Sequence, residues 1–204
     1  MSEARKNVPL RANAKVVPPA TMADQLGNAP TTEHGNPKVP YFLADAPRQP
    51  KTVDAWKRFG CELAEALRGL EEDEWLVLSL KKRYRFVQFM NQGSAGFRAE
   101  TVSDFYLKDG DRLSESDGAL LLDLGWHAPT NLPDELGFDP DGSPNYFLDL
   151  AHPVPLYELA ALAISTLANV HGAPHPNTLE YSTGGGNNDT IWFPNLGIRR
   201  ASNC

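Results

Sequence analysis

Apolar side chains recur at helical spacing in the first segment of the chain that has a clear pattern. Thr52 is a candidate N-cap residue at its start, and Gly69 follows its last turn. The apolar residues of this segment fall on one helical face: Val53, Trp56, Gly60, Leu63 and Leu67. The pattern predicts an amphipathic helix over about residues 53–68.

Three segments with strand-like patterns follow this helix. Residues 75–80 are almost continuously apolar, as in a well-covered strand, and residues 84–90 are rich in aromatic and β-branched side chains. In residues 97–107, one face of the predicted strand carries Phe97, Ala99, Thr101, Ser103 and Phe105. Turns are supplied by Lys81-Lys82-Arg83 and by Gln92-Gly93-Ser94. This part of the chain therefore predicts a helix followed by an antiparallel meander.

A short helix and a long loop are predicted next. Ser114 and Asp117 have the spacing of a capping box, and the apolar run that follows them ends at Gly125. Residues 127–153 contain five prolines, which predicts an irregular loop. We expect aromatic side chains to hold this loop against the domain: Phe138, Tyr146 and Phe147.

The last predicted helix, residues 154–170, has the broadest apolar face of the chain and ends before Gly172. We expect it to form the centre of the core. Short strands are predicted at residues 179–181 and 191–193, with a glycine-rich loop between them. Together the elements define an α+β fold, in which an antiparallel sheet is packed by helices.

The first fifty residues differ in composition from the rest of the chain. They contain eight of the seventeen prolines and few large apolar side chains, so they cannot bury enough surface to offset the entropy of ordering. We therefore predict a disordered, Pro-rich arm at residues 1–50, an α+β domain at residues 51–182 and a C-terminal extension at residues 183–204. Within the arm, Tyr41-Phe42-Leu43 is expected to dock on the domain.

Charge is unevenly distributed between these parts. Of the net charge of -7, residues 1–51 contribute +3 and residues 52–204 contribute -10. An acidic body excludes nucleic acid as the expected partner, because phosphate contacts need clustered cations. No apolar run is long enough for a membrane span, no signal-peptide pattern is present, and Cys61 and Cys204 do not suggest a disulfide. We therefore expect a soluble cytoplasmic protein.

None of the short patterns that resemble a ligand site meets the requirements of one. Residues 139–145 lack the glycine and the final glutamate at the positions that an EF-hand needs. His171 and His175 are separated by a glycine and a proline, which favours a polar helix end over a metal pair. The glycine run at residues 184–186 lacks the Lys-Ser/Thr pair of a phosphate-binding loop.

A nucleophile and base formed by Cys61 and His127 is the remaining catalytic candidate. Cys61 falls in the middle of the first predicted helix beside core positions, which favours a small semi-buried thiol. No carboxylate has a sequence context that implies a raised pKa. The sequence thus predicts no catalytic residues, no cofactor and no metal ion, and we expect that the protein is not an enzyme.

Aromatic side chains after the second predicted helix are the strongest candidates for a binding surface. Trp126 directly follows the glycine that ends this helix, and Tyr146 and Phe147 follow a Pro-Asn pair. Trp and Tyr give large contact area at small entropic cost, so Trp126, Tyr146 and Phe147 are candidates for the wall of a peptide-binding groove. A small secondary core beneath the loop is the alternative interpretation.

These aromatic residues belong to a series of motifs that resembles a known family. The motifs are Tyr84-Arg85-Phe86-Val87-Gln88-Phe89, Arg98-Ala99-Glu100-Thr101-Val102-Ser103, Leu122-Asp123-Leu124-Gly125-Trp126, Pro144-Asn145-Tyr146 and the helix at 156–170. Their order and spacing over about residues 52–182 resemble the actinobacterial TY-Chap family. That family lies within the superfamily of type III secretion chaperones and YbjN-like peptide-binding proteins.

The resemblance implies a twisted antiparallel sheet packed by helices and a non-enzymatic, chaperone-like role, in which the domain holds a segment of a client protein. Secretion chaperones of this superfamily often act as dimers, so a homodimer is compatible with the resemblance. Two alternatives stay open. One is a regulatory or scaffolding module recruited through the N-terminal arm, and the other is a small enzyme of a type that sequence patterns do not reveal.

Overall fold

A computed structural model describes residues 50–81, 84–130, 139–185 and 191–201. The predicted disordered arm lies outside these ranges except for Pro50, and the predicted C-terminal extension is described only in part. Phe138, one of the predicted loop anchors, also lies outside them.

Six strands form one sheet within the described residues. They are β1 (Trp75–Leu80), β2 (Phe86–Asn91), β3 (Phe97–Thr101), β4 (Tyr146–Leu150), β5 (Leu179–Gly184) and β6 (Arg199–Arg200). Their order across the sheet is β4-β3-β2-β1-β5-β6. All neighbours are antiparallel except β5 and β6, which are parallel. The predicted α+β fold with an antiparallel meander, here β1 to β3, is confirmed.

Three α-helices accompany the sheet in the described part of the chain: α1 (Pro50–Arg68), α2 (Glu115–Asp123) and α3 (Leu156–Ser165). The predicted capping box opens α2, since Ser114 Oγ accepts from Asp117 N at 3.1 Å and Ser114 N donates to Asp117 Oδ2 at 3.0 Å. The last helix, α3, continues as a π-helical turn, Thr166–Val170. The π-helical pairing is visible in the hydrogen bond from His171 N to Thr166 O at 2.9 Å.

One face of the sheet is buried. Burial alternates along β1 and β5, so that Leu76, Leu78 and Leu179 are 0% exposed. Each fully buried leucine stabilises the fold by roughly 1.5–3 kcal/mol. Two helices that complete the core approach each other closely, since a Cβ added to Gly60 of α1 would lie 2.9 Å from Ile164 Cδ1 of α3.

The opposite face of the sheet, here called the open face, carries the residues that alternate with the buried ones. Its central side chains are Trp75, Val77, Phe86, Gln88, Met90, Arg98, Glu100 and Phe147. These side chains are all partly exposed, and Met90 reaches 39%. The strand register pairs Gln88 with Glu100 and Glu100 with Phe147, so these three residues lie side by side across β2, β3 and β4.

Two strand predictions differ from the structure. The third strand ends at Thr101 rather than at residue 107, because Ser103 Oγ accepts from Phe105 N and begins a 3-10 turn. Phe105, predicted to share one face of the strand with Phe97 and Ala99, is 45% exposed, whereas those two residues are buried. Residues 191–193 do not form a strand; the last strand is instead β6, which at two residues is too short to produce a sequence pattern.

The prediction of an irregular loop over residues 127–153 is wrong, because this region contains β4. Leu148 and Leu150 are buried and alternate with the half-exposed Phe147 and Asp149, which is the pattern of a one-sided strand. The prolines of the region lie before and after these five residues. They dominate its composition without interrupting the hydrogen bonding of the strand.

Three local predictions also need correction. The first helix begins at Pro50 rather than near Thr52, because proline fits the first turn of a helix, where its missing N–H costs nothing. Cys61 is exposed rather than semi-buried. His171, predicted to form a polar helix end, is 2% exposed and belongs to the core.

Candidate functional site

The three predicted groove residues occupy different environments. Trp126 is 2% exposed, and its Nε1 donates a hydrogen bond to Thr166 Oγ1 at 2.9 Å. Tyr146 and Phe147 are neighbours in β4 and therefore point to opposite faces of the sheet. The structure thus does not bring the three side chains together in one wall, and a role for them in peptide binding stays a prediction.

Phe147 is the member of this trio that lies on the open face. The Arg98 guanidinium carbon lies 5.3 Å from the centre of its ring, and the centre of the His127 ring lies 5.5 Å away. Tyr146 lies on the helix side, where a Cβ added to Gly118 of α2 would be 3.1 Å from the tyrosine hydroxyl. Partial burial there raises the pKa of Tyr146.

A cleft of about 520 Å³ lies on the open face. It is lined by two tyrosines, by residues of β2 and β3 and by a loop segment: Tyr84, Tyr106, Phe86, Gln88, Glu100 and residues 142–145. Tyr84 is 63% exposed and Tyr106 is 52% exposed. The cleft therefore presents aromatic rings beside polar side chains at the surface, where a second molecule can reach them.

The Glu100 carboxylate is the charged group that lines this cleft. Its Oε2 accepts hydrogen bonds from Gln88 Nε2 at 2.7 Å and from Asn145 Nδ2 at 3.0 Å. Asn145 is itself fixed, because its backbone N–H donates to Ser143 Oγ at 3.0 Å and its Oδ1 accepts from Ser103 N at 3.4 Å. Two amide donors from different elements thus hold the carboxylate in one position.

The loop segment 142–145, which forms one wall of the cleft, is anchored through Arg98. The guanidinium forms a two-point ion pair with Asp149 at 2.8 and 2.7 Å and also donates to the carbonyl oxygens of Asp141 and Gly142. The hydrogen bonds with Asp149 raise the pKa of Arg98. A Cβ added to Gly142 would lie 1.8 Å from Thr130 Oγ1, so that a larger residue there would have to displace the Thr130 side chain. The wall is therefore tied to both β3 and β4.

Thr101 and His171 meet on the buried side of the sheet. Thr101 Oγ1 donates to Phe86 O at 2.8 Å and lies 2.7 Å from His171 Nε2. Because a hydroxyl has one proton, Thr101 accepts from Nε2–H, and His171 Nδ1 is left as a buried acceptor with no partner among the described residues. Burial, with the charge of Arg85, lowers the pKa of His171 to about 3. His171 is therefore neutral at physiological pH.

Four residues considered for catalysis or a metal pair do not line this cleft: Cys61, His127, His171 and His175. Residues 142–145, from the segment compared with an EF-hand, do form one of its walls. Within the described ranges, no group of three His, Cys, Asp or Glu side chains could hold a metal ion. Cys61 is on α1, and His127 exchanges backbone hydrogen bonds with Phe147 at 2.9 and 3.2 Å. His175 Nδ1 accepts from Asn177 N at 3.1 Å and so caps a short turn. In the same part of the chain, no helix has the length and apolar character that a membrane span requires.

The cleft residues are not predicted as a site, although six of the nine lie in the motifs that carry the family resemblance. Tyr84 and Tyr106 flank the ends of strands, and their approach to each other depends on the pairing of β2 with β3. A weaker signal is present in the alternation of β2, which places Phe86 and Gln88 on the side away from the core. That signal indicates a half-exposed face but does not distinguish a binding surface from an ordinary solvated one.

The described residues form an α+β fold with a partly exposed cleft on one face of the sheet. Comparison with protein-family models assigns the family: residues 49–185 match TY-Chap3, described as type III secretion system (YopN, CesT) and YbjN peptide-binding chaperone 3. The match covers more than half of the chain, and the protein therefore belongs to this family, as the resemblance predicted. No curated protein and no solved structure gives a significant match.

Proposed function

We propose that this protein is a chaperone-like domain that binds a segment of a client polypeptide across its open face, with the cleft as the main contact. The observation that carries the proposal is the cleft itself, in which exposed tyrosines surround fixed polar groups in a member of a peptide-binding family. The client segment lies over β2 and β3, and its side chains enter between Tyr84 and Tyr106.

Aromatic surface supplies most of the expected affinity. Tyr84 and Tyr106 are both more than half exposed. Covering apolar surface contributes roughly 25 cal/mol per Å², so that burying the exposed parts of two such rings contributes about 2–4 kcal/mol. This magnitude suits a chaperone, which has to release its client as well as bind it.

The remainder of the open face can extend the contact along a client. Trp75 and Met90 face each other across β1 and β2, and both are partly exposed. Methionine adapts to side chains of different shape, which favours the binding of varied apolar segments. Gln88, which is partly exposed, adds an amide group at the cleft that can orient a peptide backbone.

A matched pair of tyrosine variants in the full-length protein tests the proposal. Tyr106→Ser removes a ring that is 52% exposed at the cleft, and Tyr157→Ser removes a ring that is 53% exposed on α3. An array of random peptides of about 12 residues identifies binders, and fluorescence anisotropy of the strongest one gives its Kd. We expect Tyr106→Ser to weaken binding at least about fivefold and Tyr157→Ser to change it less than about twofold.

Two results would contradict the proposed function. One is an equal loss of affinity in both variants, since the cleft would then contribute nothing particular. The other is an array on which no peptide binds the folded protein above background. Circular dichroism of each variant serves as the control for folding.

A further inference from the structure

The Glu100 carboxylate has one oxygen that the protein itself leaves without a partner. Its Oε2 accepts from both Gln88 and Asn145, whereas Oε1 has no hydrogen bond or ion pair within the described ranges. A carboxylate can accept about four hydrogen bonds, so the group retains capacity for a further donor. Because Glu100 lines the cleft, this donor can come from a bound molecule.

The basic residue of the same strand, Arg98, forms its hydrogen bonds with other partners. Arg98 lies two residues before Glu100 in β3, but its guanidinium is directed to Asp149 and to the carbonyl oxygens of Asp141 and Gly142. No ion pair between Glu100 and a basic side chain is present in the part of the chain that the structure describes. Arg98 thus attracts Glu100 only through space, and no direct contact in these ranges neutralises the negative charge of the cleft.

The aromatic rings of the cleft are suited to hold a cation. The face of a tyrosine or phenylalanine ring attracts a positive charge within about 6 Å of its centre, and three such rings line the cleft: Tyr84, Phe86 and Tyr106. The chain already uses one of them in this way, since Lys108 Nζ lies 5.9 Å from the centre of the Tyr84 ring. The surrounding body is acidic, with a net charge of -10 over residues 52–204, and so attracts cationic peptides.

We propose that the cleft is a subsite for one cationic side chain of the client, with the guanidinium of arginine preferred over the ammonium of lysine. The inference rests on the proposed peptide-binding function and specifies the chemistry of the client. The guanidinium donates to Glu100 Oε1 while its plane lies against a tyrosine ring. Lysine brings the same charge without a planar group that can stack, and therefore binds second.

Four fluorescein-labelled peptides that differ at one position test this subsite on the full-length protein. The host sequence is Gly-Ser-Tyr-Ala-X-Ala-Leu-Ser-Gly, where X is arginine, lysine, citrulline or glutamate. Citrulline has nearly the shape of arginine but no charge, and it has an oxygen acceptor in place of one NH2 donor. The ratio of the two affinities therefore reports the charge and its charge-assisted hydrogen bond together. Titrations of each peptide give Kd by fluorescence anisotropy.

Two glutamate variants test whether the preference for arginine arises at Glu100. Glu100→Gln removes the charge of the cleft and keeps an oxygen acceptor for Gln88 and Asn145. Glu180→Gln makes the same change on the open face in β5, which is three strands from β3, or about 14 Å away. The second variant therefore controls for the general loss of one negative charge.

We expect the arginine peptide to bind wild-type protein at least about fivefold more tightly than the citrulline peptide, with lysine between them and glutamate weakest. Glu100→Gln should reduce the arginine-to-citrulline ratio below about twofold, and Glu180→Gln should leave it at the wild-type value. A third variant, Lys108→Ala, frees the Tyr84 ring. It should strengthen binding of the arginine peptide about twofold and leave the citrulline peptide unchanged.

The proposed cationic subsite is wrong if the arginine and citrulline peptides bind wild-type protein with equal affinity. It is also wrong if Glu100→Gln still binds the arginine peptide more tightly than the citrulline peptide by the wild-type ratio. Self-association that Glu100→Gln abolishes, without any preference among the peptides, would instead assign the cleft to a second copy of the chain. If array peptides bind but none of the four host peptides does, the cationic subsite is wrong and the peptide-binding function stands. If neither set binds, both proposals fail.

Discussion

Acidification should destabilise this protein through one buried histidine. His171 is 2% exposed, and its Nε2 contacts Thr101 Oγ1 at 2.7 Å. Its pKa falls from 6.5 in the unfolded chain to about 3 in the folded protein, because burial and the nearby charge of Arg85 disfavour the imidazolium form. Between these two values the unfolded state binds a proton that the folded state does not.

The sign and size of the effect follow from this difference in proton binding. The stabilising contribution is fully present above pH 6.5 and is lost as the pH falls towards 3. At about pH 5 the unfolded chain has gained about 2 kcal/mol from protonation of this residue, whereas the folded protein has gained almost nothing.

Urea unfolding of wild-type protein and of His171→Gln at about pH 7.5 and pH 5 measures the contribution. Glutamine can place an amide N–H near the position of Nε2 and does not titrate, so that all other histidines cancel in the comparison. The wild-type free energy of unfolding should fall by about 2 kcal/mol more than that of the variant. Equal pH dependence in the two proteins would refute the argument. If the variant does not fold, the ring resonances of His171 in the wild-type protein are followed as the pH is lowered. Titration of these resonances near pH 6.5 would also contradict the argument.

Two further substitutions, the first with a matched control, test the packing around the sheet. Gly96→Ala should lower the free energy of unfolding by more than about 2 kcal/mol in urea titrations. Gly96 has φ +98°, and a Cβ there would lie 1.9 Å from Leu150 O. The control is Gly110→Ala, which should change the free energy of unfolding by less than about 0.5 kcal/mol, because no atom lies within 4 Å of a Cβ at that position. Trp126→Phe removes the indole donor to Thr166 but retains an aromatic ring, and should cost about 1–3 kcal/mol by the same measurement; an unchanged stability would show that this buried hydrogen bond contributes nothing.

The central fold follows from local sequence patterns because its elements are long and strongly periodic. The strand at residues 75–80 and the capping box at Ser114 are correct to the residue. The prediction is wrong for β4, because the prolines on both sides of this five-residue strand indicate a loop. That strand is stabilised by pairing with β3, whose residues lie about fifty positions earlier in the chain, and local composition carries no information on such pairing.

The predicted site residues show the same dependence on distant contacts. Trp126 is a good candidate for a binding surface by residue type, but its indole N–H finds Thr166 forty positions later and the ring is buried. Tyr146 and Phe147 are adjacent in sequence and lie on opposite faces because they occupy a strand. An assignment of residues 146–150 to a strand would have been sufficient to separate them, whereas the cleft requires the assembled sheet.

The position of a bound peptide on the sheet distinguishes the cleft from every other surface of the domain. Backbone amide resonances of the isotope-labelled full-length protein, recorded with and without the strongest array peptide, report which residues change environment on binding. The largest changes are expected at the amides that line the cleft, with α1 and α3 little affected. These amides belong to Phe86, Gln88, Glu100, Tyr106, Gly142, Ser143 and Asn145. Changes confined to α1, α3 and the segment around Trp192, or to residues 1–49, would contradict it.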